Sequence, residues 1–222
     1  MLKPQRKITR KEIKRDPFLE TMDKLEYNFE KNKKTYLNFA VIIVLVVFAT
    51  NFLLNKQTQK EFDSNSALGI ALVAYDNSDY ENAKFQFETI TAEFPNTNSA
   101  SISNYYLGKI AYDNYEFNMS ESYLNKYLND YEIKILIPGT IKMLSDIAFR
   151  NNKIKDAIKV LDEGIKLNLK TSTKIEFELL KALILFKSGD KKSTQKILDN
   201  VLSKKSLSPN LKKIGEELLG MM

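Results

Sequence analysis

Histidine and cysteine, the side chains most used for acid–base and thiol chemistry near neutral pH, are absent from this chain, and that absence is the first constraint on its function. The 222 residues include no histidine, no cysteine and no tryptophan. Without histidine there is no side chain that ordinarily titrates near neutral pH and serves as general base. Without histidine or cysteine there is no zinc, haem or iron–sulfur ligand set and no thiol nucleophile. No G-x-G-x-x-G and no Walker pattern is present to cradle a phosphate. The carboxylates are scattered on helix surfaces, where solvation is their ordinary role. No catalytic residue, cofactor or metal is therefore expected, and the chain is not expected to be an enzyme. What remains is recognition chemistry. Aromatic side chains recur every 37 residues, at Tyr75, Tyr112, Phe149 and Phe186, with Lys109 and Lys142 near them.

That interval organises the whole second half of the chain. One column holds Ala71, Gly108, Ser145 and Ala182, all small. Two residues on stand Val73, Ile110, Ile147 and Ile184, then Ala74, Ala111, Ala148 and Leu185. A later column is small again: Ala83, Ser120, Ala157 and Thr194. Self-similarity at 20–50 residues marks a stacked-repeat protein. Within the first unit Leu68, Ala71, Leu72 and Tyr75 fall on one face at helical spacing. A break follows at Asn77-Ser78-Asp79, and a second helix is expected from about Tyr80 to Phe94, closed by Pro95-Asn96-Thr97-Asn98. Later units break at Asn114-Tyr115, Asn151-Asn152 and Ser188-Gly189-Asp190. Each unit thus reads as helix A, a tight turn and helix B. Small residues let two antiparallel helices approach to about 8–10 Å, so Ala71 and Ala83 are expected to meet at the crossing, with Phe87, Leu124, Leu161 and Leu198 filling the space beside it. A final helix, Ser208 to Gly220, carries an N-cap serine, a first-turn proline and an apolar stripe of Leu211, Ile214 and Leu218, as a polar-backed end cap requires.

The pattern resembles the tetratricopeptide repeat. That family's Gly-Asp-Tyr turn is echoed by Ser78-Asp79-Tyr80, its Leu-Gly by Leu107-Gly108 and its closing proline by Pro95. The period is 37 rather than 34, the middle units lack the closing proline, and Lys191 and Thr194 depart from the pattern in the fourth. The expected fold is all-α: a tetratricopeptide-like α-solenoid of four helical hairpins plus a C-terminal capping helix, over residues 64–222.

Residues 37–54 form an uncharged run of eighteen, thirteen of them Leu, Ile, Val or Phe. As a helix it would span about 27 Å, close to the hydrocarbon thickness of a bilayer. No polar face marks it as a core helix, and no small-x-small cleavage site follows it, as a signal peptide would require. It reads as one transmembrane helix. Lys31, Lys33 and Lys34 crowd one side and Lys56 and Lys60 the other. The positive-inside rule then puts the N-terminus in the cytoplasm and the repeats across the membrane, in the periplasm of a bacterium with an inner membrane. Residues 55–63 are polar but helix-tolerant, so the spanning helix is expected to continue into the first repeat. Of the net charge of +6, the first 34 residues carry +5, from eleven Lys/Arg against six Asp/Glu. The folded part lacks the concentrated basic charge that nucleic-acid binding requires. Within the leader, residues 1–36, Asp16-Pro17 reads as a helix start. Phe18, Met22, Leu25 and Phe29 then form a stripe, either on a lipid surface or against a cytoplasmic partner.

Taken together, anchor, orientation, repeat domain and the late turn Lys187-Ser188-Gly189-Asp190-Lys191-Lys192 are similar to the ancillary subunits of the bacterial SecYEG translocon (YfgM-like proteins). The leader, with Lys7-Ile8-Thr9-Arg10-Lys11-Glu12, is longer than in the best-known members. The resemblance implies a non-enzymatic inner-membrane helper at the translocon, partnering translocon subunits, membrane-anchored chaperones and exported clients. A structural or assembly factor of envelope machinery (division or secretion) is the alternative, and an N-anchored organellar import receptor has the same parts. In a solenoid the concave surface lined by helices A is the default binding site. The expected groove comprises Leu68, Leu72 and Tyr75; Tyr105, Lys109 and Tyr112; Lys142 and Phe149, with Asp146 between them; and Leu179, Leu183 and Phe186. Lys109 and Lys142 would pair with an acidic group of the ligand. The other reading of the aromatic column is packing between neighbouring units.

Overall fold

A computed structural model describes residues 17–130, 134–204 and 207–222, so the leader motif 7–12 and Asp16 lie outside the described residues. The described residues form ten α-helices and one short 3-10 turn, with no strand among them. The chain divides into two units, residues 1–58 and 59–222.

In the first unit, α1 is Pro17–Lys31 and carries Phe18, Met22, Leu25 and Phe29 exposed on its surface. Its sequence holds four acidic residues and two lysines, so the basic charge of the leader lies in the flanking sequence rather than in this helix. Helix α2, Lys33–Asp76, is 44 residues long and begins in this unit. It is long and apolar enough to cross a membrane, and none of its most apolar eighteen-residue window is buried. A core helix of a soluble protein would have that window covered. No proline or glycine interrupts α2 between Leu54 and Gly69.

The second unit contains the end of α2 and eight further helices: α3 Tyr80–Glu93, α4 Asn98–Asp113, α5 Phe117–Asp130, α6 Ile137–Arg150, α7 Ile154–Lys166, α8 Thr171–Lys187, α9 Lys191–Leu202 and α10 Pro209–Gly220. The end of α2 and helices α4, α6 and α8 are helices A of the four repeats; α3, α5, α7 and α9 are helices B.

Every A–B turn is built the same way. Ser78, Tyr115, Asn152 and Gly189, spaced by 37, each take a left-handed backbone, with φ of 62°, 64°, 60° and 89°. Each turn closes with two backbone bonds. In the first, Ser78 N–H donates to Tyr75 O at 2.9 Å and Asp79 N–H to Ala74 O at 3.0 Å; the other three repeat the pair. These paired bonds satisfy carbonyls left over at the end of helix A and reverse the chain in three residues. Asp79 and Asp190 then cap the next helix, accepting from Asn82 N at 3.4 Å and Ser193 N at 3.0 Å.

At the crossings, both small columns are buried in all four repeats. In units two to four a hydroxyl also bonds across the crossing. Ser120 Oγ donates to Gly108 O at 2.7 Å, Ser145 Oγ to Ala157 O at 3.1 Å and Thr194 Oγ1 to Ala182 O at 3.4 Å. Thr194 is therefore accommodated rather than disruptive, since its second contact, to Asp190 O at 2.8 Å, holds it against its own helix. A Cβ on Gly108 would come within 2.7 Å of Leu124, so only glycine permits this approach.

Between units the chain turns briefly. Pro95 ends the first, Asn96 is left-handed, and Thr97 caps α4 by accepting from Ala100 N at 3.1 Å. A 3-10 turn, Lys134–Leu136, leads into α6. Ser208 caps α10, accepting from Leu211 N at 3.4 Å, and Pro209 takes the first turn. The core runs along the stack as four clusters centred on Phe87, Leu124, Leu161 and Leu198, the four large residues expected beside the crossings.

Candidate protein-binding groove

Neighbouring helices A are joined by polar contacts between positions 34 apart. Ser99 Oγ donates to Asn65 Oδ1 at 2.7 Å, Tyr112 Oη to Asp146 Oδ2 at 2.5 Å, and Lys142 Nζ to Glu176 Oε2 at 2.6 Å. Lys109 Nζ lies 5.9 Å above the ring of Tyr75, again 34 residues away. Equivalent positions are 37 apart, so these partners are displaced by three residues, close to one helical turn. The contacts thus tie each helix A to a point about a turn earlier on the next.

Much of the expected site is engaged in this network. Lys109 is bonded to Asp113 at 2.8 Å. Burial disfavours its ammonium, but hydrogen bonds to Asp113 and Tyr75 and their charges carry its pKa above the usual lysine range. Lys142 is likewise paired, so neither lysine presents an unneutralised charge to a ligand. Partly exposed lysine–carboxylate pairs of this kind contribute about 0–1 kcal/mol each. Burial pushes the Tyr112 phenol up to about 12, reinforced by the hydrogen bond to Asp146 and that carboxylate's charge. Arg150 Nε also donates to Asp146, at 2.5 Å, and its guanidinium lies 5.7 Å from the Phe117 ring centroid.

The aromatic residues are half-buried and shared between neighbours. Tyr75 meets Tyr106 edge-on at 4.9 Å and Tyr80 at 5.3 Å. Tyr105 packs on Tyr127 at 5.7 Å, and burial raises its phenol pKa. A Cβ on Gly139 would lie 2.8 Å from the Tyr105 hydroxyl. Phe149 and Phe186 border the clusters of Leu161 and Leu198, and Leu72 borders that of Phe87. Leu68 belongs inside the first cluster, buried beneath its neighbours.

The expected residues that do share an open apolar surface are Lys142, Leu179 and Leu183. They line a cavity of about 440 Å³ at the C-terminal end of the stack, together with Leu180, Leu211, Ile214, Leu218 and Met221. Glu176, Asn210 and Glu217 supply polar groups at the cavity, and the Lys142–Glu176 pair belongs to this set. Leu179, Leu211 and Leu218 are themselves buried; Ile214 and Met221 are exposed. Sequence reasoning places the stripe of α10 in packing and so misses the cap's share of the site. The signal is that Leu211, Ile214 and Leu218 span more than one contact edge, with Ile214 left over once the other two are packed. Among the described residues no group of three or more acidic side chains is placed to hold a metal ion.

The sequence matches no protein-family model and no curated protein. In structure it is similar to the nearly identical TPR-like repeats of a kinesin light chain candidate from Podosopora anserina, at 12% identity and a TM-score of 0.50 over 71% of this chain and 87% of that one. A single-substitution variant of that protein matches at 13% identity and 0.50, over 71% and 91%. The fold of residues 59–222 is thus a TPR-like helical solenoid.

Proposed function

We propose that this protein is a membrane-anchored, non-enzymatic interaction scaffold, and that the cavity between α6, α8 and α10 takes an apolar segment of a partner protein. The observation that carries this reading is the cavity itself. It is a concave, largely apolar surface at the end of a repeat stack, with polar groups where a partner backbone would need them. Its charged side chains are paired, Lys142 with Glu176 and Glu217 with Lys213, so no net charge faces the cavity and an uncharged segment is favoured. A helix or extended strand with large aliphatic side chains suits the space.

Anchoring rests on the uncovered apolar stretch of α2. The lysine asymmetry about that stretch supports a cytoplasmic N-terminus and a repeat domain on the far side, periplasmic in a bacterium with an inner membrane. With that layout, the similarity to ancillary translocon subunits favours a place at the protein-export machinery, among membrane-anchored chaperones and emerging polypeptides. The test is a photo-reactive residue at Ile214 in the full chain, irradiated in native membranes. Crosslinks to translocon subunits, membrane chaperones or exported polypeptides are expected. Crosslinks to division or cell-wall proteins would replace the export role with one in envelope assembly, and the absence of crosslinks in a folded protein would remove the cavity as a binding site.

A further inference from the structure

The two ends of the repeat stack are finished differently. At the C-terminal end α10 covers the last helix B: Leu211 and Leu218 share a cluster with Leu198 and Val201 of α9. At the N-terminal end the corresponding surface is open. In units two to four, helix A turns one column of side chains onto helix B of the preceding unit. Leu107 and Ile110 pack with Ala83, Phe87 and Ile90 of α3; Leu144 and Ile147 pack with Leu124 of α5; Ile184 packs with Ala157 and Leu161 of α7. Leu107 and Ile110 are 1% and 5% exposed, whereas Ile70 and Val73, the residues 37 earlier on α2, are 60% and 61% exposed. Ser66 is exposed where its equivalents Ser103, Thr140 and Phe177 are fully buried. Phe62 completes the stripe, also exposed.

We propose that this stripe, Phe62, Ser66, Gly69, Ile70 and Val73, pairs with the same stripe of a second copy of this chain, as two parallel α2 helices. A helix is what the column receives in every other unit, so the missing element is a helix. The residues 62, 66, 69 and 73 follow the alternating four-three spacing of a two-helix seam. The stripe is self-complementary: large Phe62, Ile70 and Val73 stand beside small Ser66 and Gly69, and none is charged. A Cβ on Gly69 would meet nothing within 4 Å, so the backbone there is open to close approach. The pairing rests on the anchoring reading above, because copies held by one membrane through the same helix carry these residues at the same level. Three large side chains per copy fall short of the roughly 1,200 Å² of total burial that a stable interface needs. The pair therefore depends on the raised effective concentration of membrane confinement and separates in dilute detergent.

The absence of cysteine makes the test clean. The full chain carrying Ser66→Cys is oxidised in native membranes and run without reductant, beside a Ser122→Cys control at an exposed position on α5. A covalent dimer is expected from Ser66→Cys at least fivefold above the control, and adding Val73→Glu is expected to return it to the control level. Equal yields from both cysteines, no dimer from Ser66→Cys, or its capture by a different polypeptide would each overturn the pairing. Carbonate extraction of the same membranes separates the two readings. Absence of the dimer from a chain retained in the pellet refutes pairing alone, and release of the chain into the supernatant refutes anchoring.

Discussion

Two glycines on helices A should respond to the same substitution with opposite signs. Replacing glycine by alanine in a helix interior stabilises it by about 0.8–1.0 kcal/mol through lower backbone entropy in the unfolded chain. At Gly69 nothing lies within 4 Å of the new methyl, so the full gain is expected. At Gly108 the methyl would stand 2.7 Å from Leu124 Cδ2 and Cγ and 3.3 Å from its backbone nitrogen. Carbon atoms pack best at about 3.5–4.0 Å, so Leu124 would have to retreat by close to an ångström. It is fully buried and has nowhere to go. Overpacking of this kind costs about 1–3 kcal/mol, so Gly108→Ala should be destabilising by about 0–2 kcal/mol after the helix gain. The two variants should therefore differ by about 1–3 kcal/mol. Urea unfolding of the full chain in dilute detergent, followed by circular dichroism, measures both. If Gly108→Ala were stabilised as much as Gly69→Ala, the close A–B crossing would be refuted.

Further perturbations test other parts of the stack. Tyr115 is exposed in a left-handed conformation that costs a non-glycine residue about 1–2 kcal/mol; Tyr115→Gly should raise stability by about 0.5–1 kcal/mol in the same unfolding assay, and a loss would mean that its contact with Phe117 outweighs the strain. Ser120→Ala removes the bond to Gly108 O from a buried crossing and should cost about 1–2 kcal/mol; no change in midpoint would show that the bond is dispensable. The Tyr112 phenol has its pKa raised in the folded state to about 12, from an ordinary value near 10. Its contribution is complete below pH 10 and is lost as pH rises from 10 through 12, because the unfolded chain gives up the proton first. Stability should fall over that window, and less steeply in Tyr112→Phe; identical slopes would contradict the burial of Tyr112 and its bond to Asp146.

The architecture was legible in the sequence because the repeat is written in sizes. Columns such as Ala83/Ser120/Ala157/Thr194 are small for a steric reason that no context overrides, and breaks at Ser78, Tyr115, Asn152 and Gly189 keep the same interval. The groove was harder to read because one interval serves two purposes. Residues at helical spacing on helix A include Leu68, which the core takes, and Lys109 and Lys142, which neighbouring carboxylates neutralise. Those partners sit 34 and not 37 residues away, or four along the same helix, so a search at the repeat period passes over them. Ile214 and Met221 join the site from α10, an element outside the repeat, and no periodicity could link them to Leu183.

The direct measurement of partner binding at the cavity compares proteins recovered with the full chain from native membranes with those recovered by an Ile214→Lys variant, quantified by mass spectrometry, with helicity checked in both. Ile214 is exposed, so a lysine there should leave the fold intact while placing a charge in an apolar site. A specific partner is predicted to fall at least tenfold in that variant and to be unchanged by Phe85→Lys on the outer surface of α3. Equal recovery with wild type and Ile214→Lys would contradict a partner-binding cavity.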